Sequence, residues 1–234
     1  MTSSTSFEFQ LESQTLRGQG GSIRLPCHEY ANIIRLSLEG QAIQGLPRNL
    51  ILKMQGDRHD FFQTEQIFYE NEKGLQKRGL VPQYHGLASI GGTPALVLSD
   101  LGGAMIHDNP SLAQDENTLR DKLTELLGAI RRAGVVHEDI TVLNVLHCPD
   151  GRFRLVDFEE AEMNQPVDEA KIKDEVAVQV DDLVGTMKRR YEAKMKIQEW
   201  ESRNKQATPT QYGALVRQNL SSAVNAVDVR GAAC

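Results

Sequence analysis

The segments that favour β-strands come early in this chain, and the segments that favour α-helices come late. Five short runs, apolar or alternating, occupy residues 7–12, 33–38, 49–54, 85–89 and 95–101. Runs of this length and pattern are typical of strands. The order of the elements therefore predicts an α+β fold in which a five-stranded sheet comes first.

Two segments carry apolar side chains at steps of three and four residues, which predicts amphipathic helices. The first extends from Asp60 to about Lys77 and would lie with the five strands. The second covers residues 117–133, with Asp115 as its cap and Gly134 as its stop. We expect the second helix to belong to a mainly helical region.

Composition and charge exclude several classes of function. A chain of 234 residues that is 40% apolar can build a core without disulfides or a metal. Its formal net charge of −6 does not suit a protein that neutralises nucleic-acid phosphates. It contains no apolar run near the roughly 18 residues of a membrane span, and its three cysteines indicate no disulfide framework. We therefore expect a cytoplasmic protein that binds neither nucleic acid nor membrane.

The polar segment after the second helix holds the residues best suited to chemistry. Asp139 stands in a loop, Asn144 follows as a strand begins, and Asp157 ends the next strand. The turn Pro149–Gly151 between these strands predicts a hairpin. Two carboxylates and a carboxamide at the mouth of one hairpin form an oxygen-rich site of the kind that Mg²⁺ prefers.

This segment resembles the protein-kinase-like superfamily, whose pattern is H-x-D-x-x-x-x-N followed by an apolar strand that ends in D-F-G. The resemblance covers roughly residues 50–160. It implies a two-lobed fold with an N-terminal lobe over residues 1–98 and a reduced, helical C-terminal lobe over residues 99–205. A weakly ordered tail would occupy residues 206–234. ATP and Mg²⁺ would bind between the lobes.

The resemblance also implies roles for the polar residues of this segment. Asp139 would accept or orient the proton of the attacking hydroxyl, and Asn144 and Asp157 would hold the Mg²⁺ that bridges the ATP phosphates. His137 would be a structural residue.

Lys53 ends the run L-I-L-K-M, where the family places its phosphate-binding lysine. Glu65, on the helix that follows, would be its charged partner. The helical face around Glu65 otherwise holds Phe61 and Phe68, and a carboxylate on an apolar stripe is costly unless it is paired. Glu72 lies two turns further along the same face and is the alternative partner.

The nucleotide would contact two further segments. Leu98 would take the gatekeeper position, and the backbone of Ser99 and Leu101 would bond the adenine. The glycine-rich segment that includes Gly20 and Gly21 would cradle the phosphates, with the turn at residues 27–31 as a competing candidate.

Three departures from the family pattern shape the expected function. D-F-G is D-F-E here, with Glu159 in the third position, H-R-D is H-E-D, and no A-P-E segment follows. We expect an ATP-dependent phosphotransferase that acts on a hydroxyl acceptor. It would phosphorylate a small molecule, or itself slowly, rather than exogenous proteins. The alternatives are a nucleotide-binding pseudokinase that serves as an interaction module, and a plain α+β interaction domain.

Overall fold

Six strands of this chain form a closed antiparallel barrel. The computed structural model describes residues 5–23, 32–165 and 168–203. The barrel strands are β1 (Thr5–Leu11), β2 (Gln14–Ser22), β3 (Ile33–Leu38), β4 (Asn49–Met54), β5 (Tyr84–Ile90) and β6 (Thr93–Ser99). They follow one another around the barrel in the order β1-β2-β3-β4-β6-β5. Leu11 of β1 lies opposite Ala88 of β5, and this pairing closes the barrel.

The two-lobed protein-kinase-like fold that the resemblance implies is wrong, and so is the five-stranded sheet. The observed architecture is a closed six-stranded barrel followed by a long C-terminal helix. Two features account for the difference. Residues 14–22 form the strand β2 and link β1 to β3. The distant strands β1 and β5 then pair with each other, so the sheet closes on itself.

The glycines of β2 explain how this strand fits against β3. Gly20 lies opposite Leu36, and a Cβ added at Gly20 would come within 2.0 Å of the carbonyl oxygen of Arg35. A side chain at this position would therefore collide with the backbone of β3. Gly21, the next residue, would meet nothing within 4 Å. Only Gly20, and not Gly21, is therefore required for the close approach of β2 to β3.

The apolar core has two parts, one inside the barrel and one outside it. Alternate strand residues fill the interior, namely Phe9, Leu16, Ile34, Leu36, Leu38, Leu50, Leu52, Ala88 and Val97. The outer face of β4 and β6 contributes Ile51, Leu96 and Leu98 to the second core. Because successive strand residues point to opposite sides, Lys53 of β4 lies on the outer face, next to this second core.

The described residues also form four α-helices: α1 (His59–Asn71), α2 (Lys73–Lys77), α3 (Glu116–Arg132) and α4 (Glu169–Arg203). The single helix predicted from Asp60 to Lys77 is divided at Glu72, which leaves the helical conformation. The predicted second helix is confirmed as α3. Its predicted cap is confirmed as well, because the Asp115 side chain accepts the N–H of Thr118 at 3.1 Å. None of the described helices is long and apolar enough to cross a membrane.

One short strand precedes α3 in the chain, and four lie between α3 and α4. They are β7 (Ala104–Met105), β8 (Val136–His137), β9 (Val145–His147), β10 (Phe153–Leu155) and β11 (Ala161–Glu162). The predicted hairpin is confirmed, because β9 pairs antiparallel with β10 around the Pro149–Gly151 turn. The predicted tail over residues 206–234 and the competing turn at residues 27–31 lie outside the described residues. The predicted boundary after residue 98 remains a prediction.

We expect Gly20→Ala to lower the free energy of unfolding by about 1–3 kcal/mol, because the new Cβ collides with the backbone of β3. Gly21→Ala is the matched control and should change stability by less than half as much. Denaturant titrations of the two variants and the wild type measure the difference. Equal losses in the two variants would contradict the close packing of β2 on β3.

Candidate functional site

Lys53 is a buried lysine near the end of β4. It pairs with Ile33 of β3 on one side and with Leu96 of β6 on the other, so its backbone lies inside the barrel ladder. Its side chain points away from the barrel interior toward α1, and the residue is only 9% exposed. A buried ammonium requires anionic partners, and these come from two other parts of the chain.

Glu65 of α1 is the most deeply buried of these partners. Its Oε2 lies 2.7 Å from Nζ of Lys53, and the residue is 1% exposed. Its Oε1 accepts the backbone N–H of Phe158 at 3.1 Å. Glu65 therefore connects α1 both to β4 and to the segment that follows β10. Glu72, the alternative partner, lies instead at the end of α1.

Asp157 and Glu159 supply the other two carboxylates. Nζ of Lys53 lies 2.5 Å from Oδ1 of Asp157 and 3.0 Å from Oε1 of Glu159. Asp157 has a backbone φ of +69°, a left-handed conformation that costs a non-glycine residue on the order of 1 kcal/mol. The neighbouring Phe158 is fully buried and stacks on Phe68 of α1, with ring centroids 3.7 Å apart. This packing holds the strained backbone in place.

Asn144 brings the loop that contains Asp139 to the same region. Its Nδ2 donates to the carbonyl oxygen of Asp139 at 2.9 Å and to Oδ2 of Asp139 at 2.8 Å. Its backbone carbonyl accepts the N–H of Val156 at 2.9 Å, one residue before Asp157. Asn144 is buried, whereas Asp139 is exposed to solvent. One asparagine thus ties a solvent-facing carboxylate to the segment that leads to Asp157.

His137 supports this arrangement from behind. Its Nε2 lies 3.3 Å from the carbonyl oxygen of Val156, and because a carbonyl only accepts, Nε2 is the donor. The ring lies 5.0 Å from that of Phe158. Burial lowers the pKa of His137, although the carboxylates of Asp157 and Asp139 oppose this effect. A neutral ring with a fixed tautomer therefore holds the backbone that leads to Asp157.

The charges of the cluster do not balance. One ammonium faces the carboxylates of Glu65, Asp157 and Glu159, so full ionisation leaves a formal charge of −2. Burial opposes the charge on Lys53, but these three carboxylates outweigh burial and hold its pKa well above the usual value. Burial also raises the pKa of Glu65 to about 7, against the opposing effect of Lys53. The cluster has an excess of negative charge that a cation would neutralise.

The same three carboxylates could hold a metal ion. One oxygen from each of Glu65, Asp157 and Glu159 lies within 4.8 Å of the others. Carboxylate oxygens are hard ligands of the kind that Mg²⁺ and Ca²⁺ prefer. Asn144, predicted as a ligand together with Asp157, is tied to the residue just before Asp157 through the Val156 hydrogen bond.

The residues predicted to bind adenine lie at the end of β6 and just beyond it. Leu98 is buried and pairs with Ile51. The backbone N–H of Ser99 donates to the carbonyl oxygen of Gln83 at 2.9 Å, so this N–H already has a partner. Leu101 is half-buried in the segment that follows β6. A ligand at this segment would have to use groups other than the Ser99 N–H.

The residues predicted to cradle phosphates, Gly20 and Gly21, belong to the paired strand β2 and not to a loop. Ser22, at the end of β2, lies opposite Ile34, and the adjacent Ile33 lies opposite Lys53. The end of this glycine-rich segment therefore reaches the same end of the barrel as Lys53, with β3 between them.

Sequence reasoning did not identify Glu159 as a partner of Lys53. It noted this glutamate only as a departure from D-F-G. The signal was available, because Glu159 lies two residues after Asp157 and a short turn can bring both carboxylates to one cation. No family model matches the chain, and no curated protein is significantly similar to it in sequence.

We expect a double-mutant cycle of Lys53→Met and Glu65→Gln to give a coupling energy of about 1–3 kcal/mol in unfolding experiments. Lys53→Met should be the more damaging single change, at about 3 kcal/mol or more, because it leaves three carboxylates without their cation. Gln at position 65 keeps an oxygen that can accept the Phe158 N–H. The control cycle pairs Lys53→Met with Glu72→Gln and should give a coupling near zero. A larger coupling in this control would show that the charges are not paired as described.

Proposed function

We propose that this protein binds a nucleoside triphosphate together with a divalent cation and transfers the γ-phosphoryl group to a hydroxyl acceptor. The observation that carries the proposal is the contact of the buried Lys53 ammonium with both Glu65 and Asp157. A fixed, buried cation beside carboxylates that suit a metal is an arrangement that can bind a polyphosphate.

The donor set fits Mg²⁺. Asn144 and Asp157 would hold the ion, since they offer an amide oxygen and a carboxylate, and the Asn144 backbone bonds the residue just before Asp157. The excess negative charge of the Lys53 cluster supports this assignment, because a divalent cation would cancel it. When bound, Mg²⁺ neutralises charge on the phosphate oxygens.

Lys53 would bind a phosphate oxygen of the nucleotide. Glu65 would act as its positioning residue, because it is buried, contacts the ammonium and is itself held by the Phe158 N–H. A lysine fixed in this way loses little further entropy when a phosphate binds. Most of the rate enhancement would come from positioning and charge neutralisation.

Asp139 would accept the proton of the acceptor hydroxyl. The carboxylate is exposed, so an acceptor can reach it, and the Asn144 amide fixes its Oδ2. A positioned general base contributes about 10²–10⁴-fold to a rate.

A second candidate is a module that binds nucleotide without turnover. The observation that favours it is the pairing of Gly20 and Gly21 in β2, since a paired strand has its backbone N–H groups engaged and does not wrap around phosphates. Binding with no turnover that depends on Asp139 would distinguish this module from the enzyme.

We expect ATP with Mg²⁺ to stabilise the folded protein by about 2.7 kcal/mol at a concentration 100 times the Kd, visible as a rise in Tm. Asp157→Asn should abolish most of this metal-dependent shift. Asp139→Asn should keep the shift but remove phosphoryl transfer to a panel of hydroxyl compounds.

Glu138→Gln is the matched control for Asp139→Asn, because Glu138 is the exposed neighbour in the same loop. It should retain both binding and transfer. Absence of any Tm shift with millimolar ATP and Mg²⁺ would contradict the proposed function. Loss of binding in Asp139→Asn as complete as in Asp157→Asn would contradict the separate roles of the two aspartates.

A further inference from the structure

We propose that Glu159 makes nucleotide binding conditional on a divalent cation. In the cation-free protein, Glu159 and Asp157 hold the Lys53 ammonium. A divalent cation draws Glu159 away from Lys53 and binds between Glu159 and Asp157, which opens a place on Lys53 for a phosphate. This inference rests on the proposed function and specifies how the same site is regulated.

Three carboxylate oxygens crowd the Lys53 ammonium. They lie 2.7 Å (Glu65), 2.5 Å (Asp157) and 3.0 Å (Glu159) from Nζ. The Asp157 contact is a hydrogen bond, whereas Oε2 of Glu65 is buried without a hydrogen-bond partner. A phosphate oxygen that approached Nζ to the same distance would meet these negative oxygens, so a carboxylate must withdraw first.

The cluster also carries more negative than positive charge. The carboxylates of Asp157 and Glu159 outnumber the single charge of Lys53 even when the buried Glu65 is protonated, and an approaching polyphosphate is also negative. A divalent cation offsets this excess and reduces the repulsion. The nucleotide therefore binds after the cation or as its complex.

Glu159 is the carboxylate of this cluster that can move. Glu65 is 1% exposed and accepts the Phe158 N–H, so it is fixed on both oxygens. Asp157 is constrained by its left-handed backbone and by the buried Phe158 beside it. Glu159 has a side chain that is 38% exposed, and it is longer by one methylene than Asp157. It can exchange Lys53 for a cation at little cost to the fold.

The oxygen geometry allows this exchange. The carboxylate oxygens of Asp157 and Glu159 already lie within 4.8 Å of each other, which is close enough for one ion to bind both after small side-chain rotations. Glu159 is then a positioning residue for Lys53 in the cation-free protein and a ligand in the loaded protein.

The test compares Glu159→Gln with the wild type and with the control Glu160→Gln, which changes the exposed neighbouring glutamate. The Kd of a fluorescent ATP analogue is measured with EDTA and with Mg²⁺, and the Kd of Mn²⁺ alone is measured by electron paramagnetic resonance. We expect Glu159→Gln to bind the nucleotide about tenfold more tightly than the wild type in EDTA. We also expect it to bind Mn²⁺ about tenfold more weakly.

These two shifts have opposite signs, so general damage to the fold cannot produce both. Glu160→Gln should match the wild type in both measurements. If Glu159→Gln shows the wild-type ratio of nucleotide affinities with and without Mg²⁺, the inference is overturned while the proposed function stands. If none of the three proteins binds nucleotide under either condition, the proposed function fails and the inference fails with it.

Discussion

The ammonium of Lys53 joins three parts of the chain that are far apart in sequence. Its backbone belongs to β4, Glu65 comes from α1, and Asp157 follows β10. Each connection is an ion pair in a largely buried setting, where an unpaired charge costs several kcal/mol. The barrel, the helix against its outer face and the segment after the hairpin therefore have one mutual arrangement in which these charges are satisfied.

Apolar packing and ion pairing support each other at this point. Phe158 stacks on Phe68 of α1 and contacts the ring of His137, while its own N–H donates to Glu65. Phe158 is buried next to the left-handed backbone of Asp157, whose carboxylate contacts Lys53. A strained residue held by a buried neighbour is a frequent feature of functional sites.

Local features of the sequence were sufficient to predict some helices and strands but not others. The helix α3 and the β9–β10 hairpin were predictable because the cap at Asp115 and the Pro149–Gly151 turn lie next to the segments that they organise. The strand β2 was not predictable, because its polar and glycine-rich residues lack apolar alternation. Pairing with β1 and β3 stabilises this strand. Barrel closure depends on Leu11 meeting Ala88, a contact that no short window of sequence reveals.

The motif residues predicted a local arrangement better than they predicted a fold. Lys53 and Glu65 meet, and Asn144 holds Asp139 beside the strand that leads to Asp157, although the two-lobed fold implied by the same residues is wrong. A short polar motif indicates which side chains lie close together. Different folds can place the same side chains together, so the motif does not determine the fold. The three carboxylates around Lys53 exceed its single charge, and this excess does not depend on which architecture brings them together.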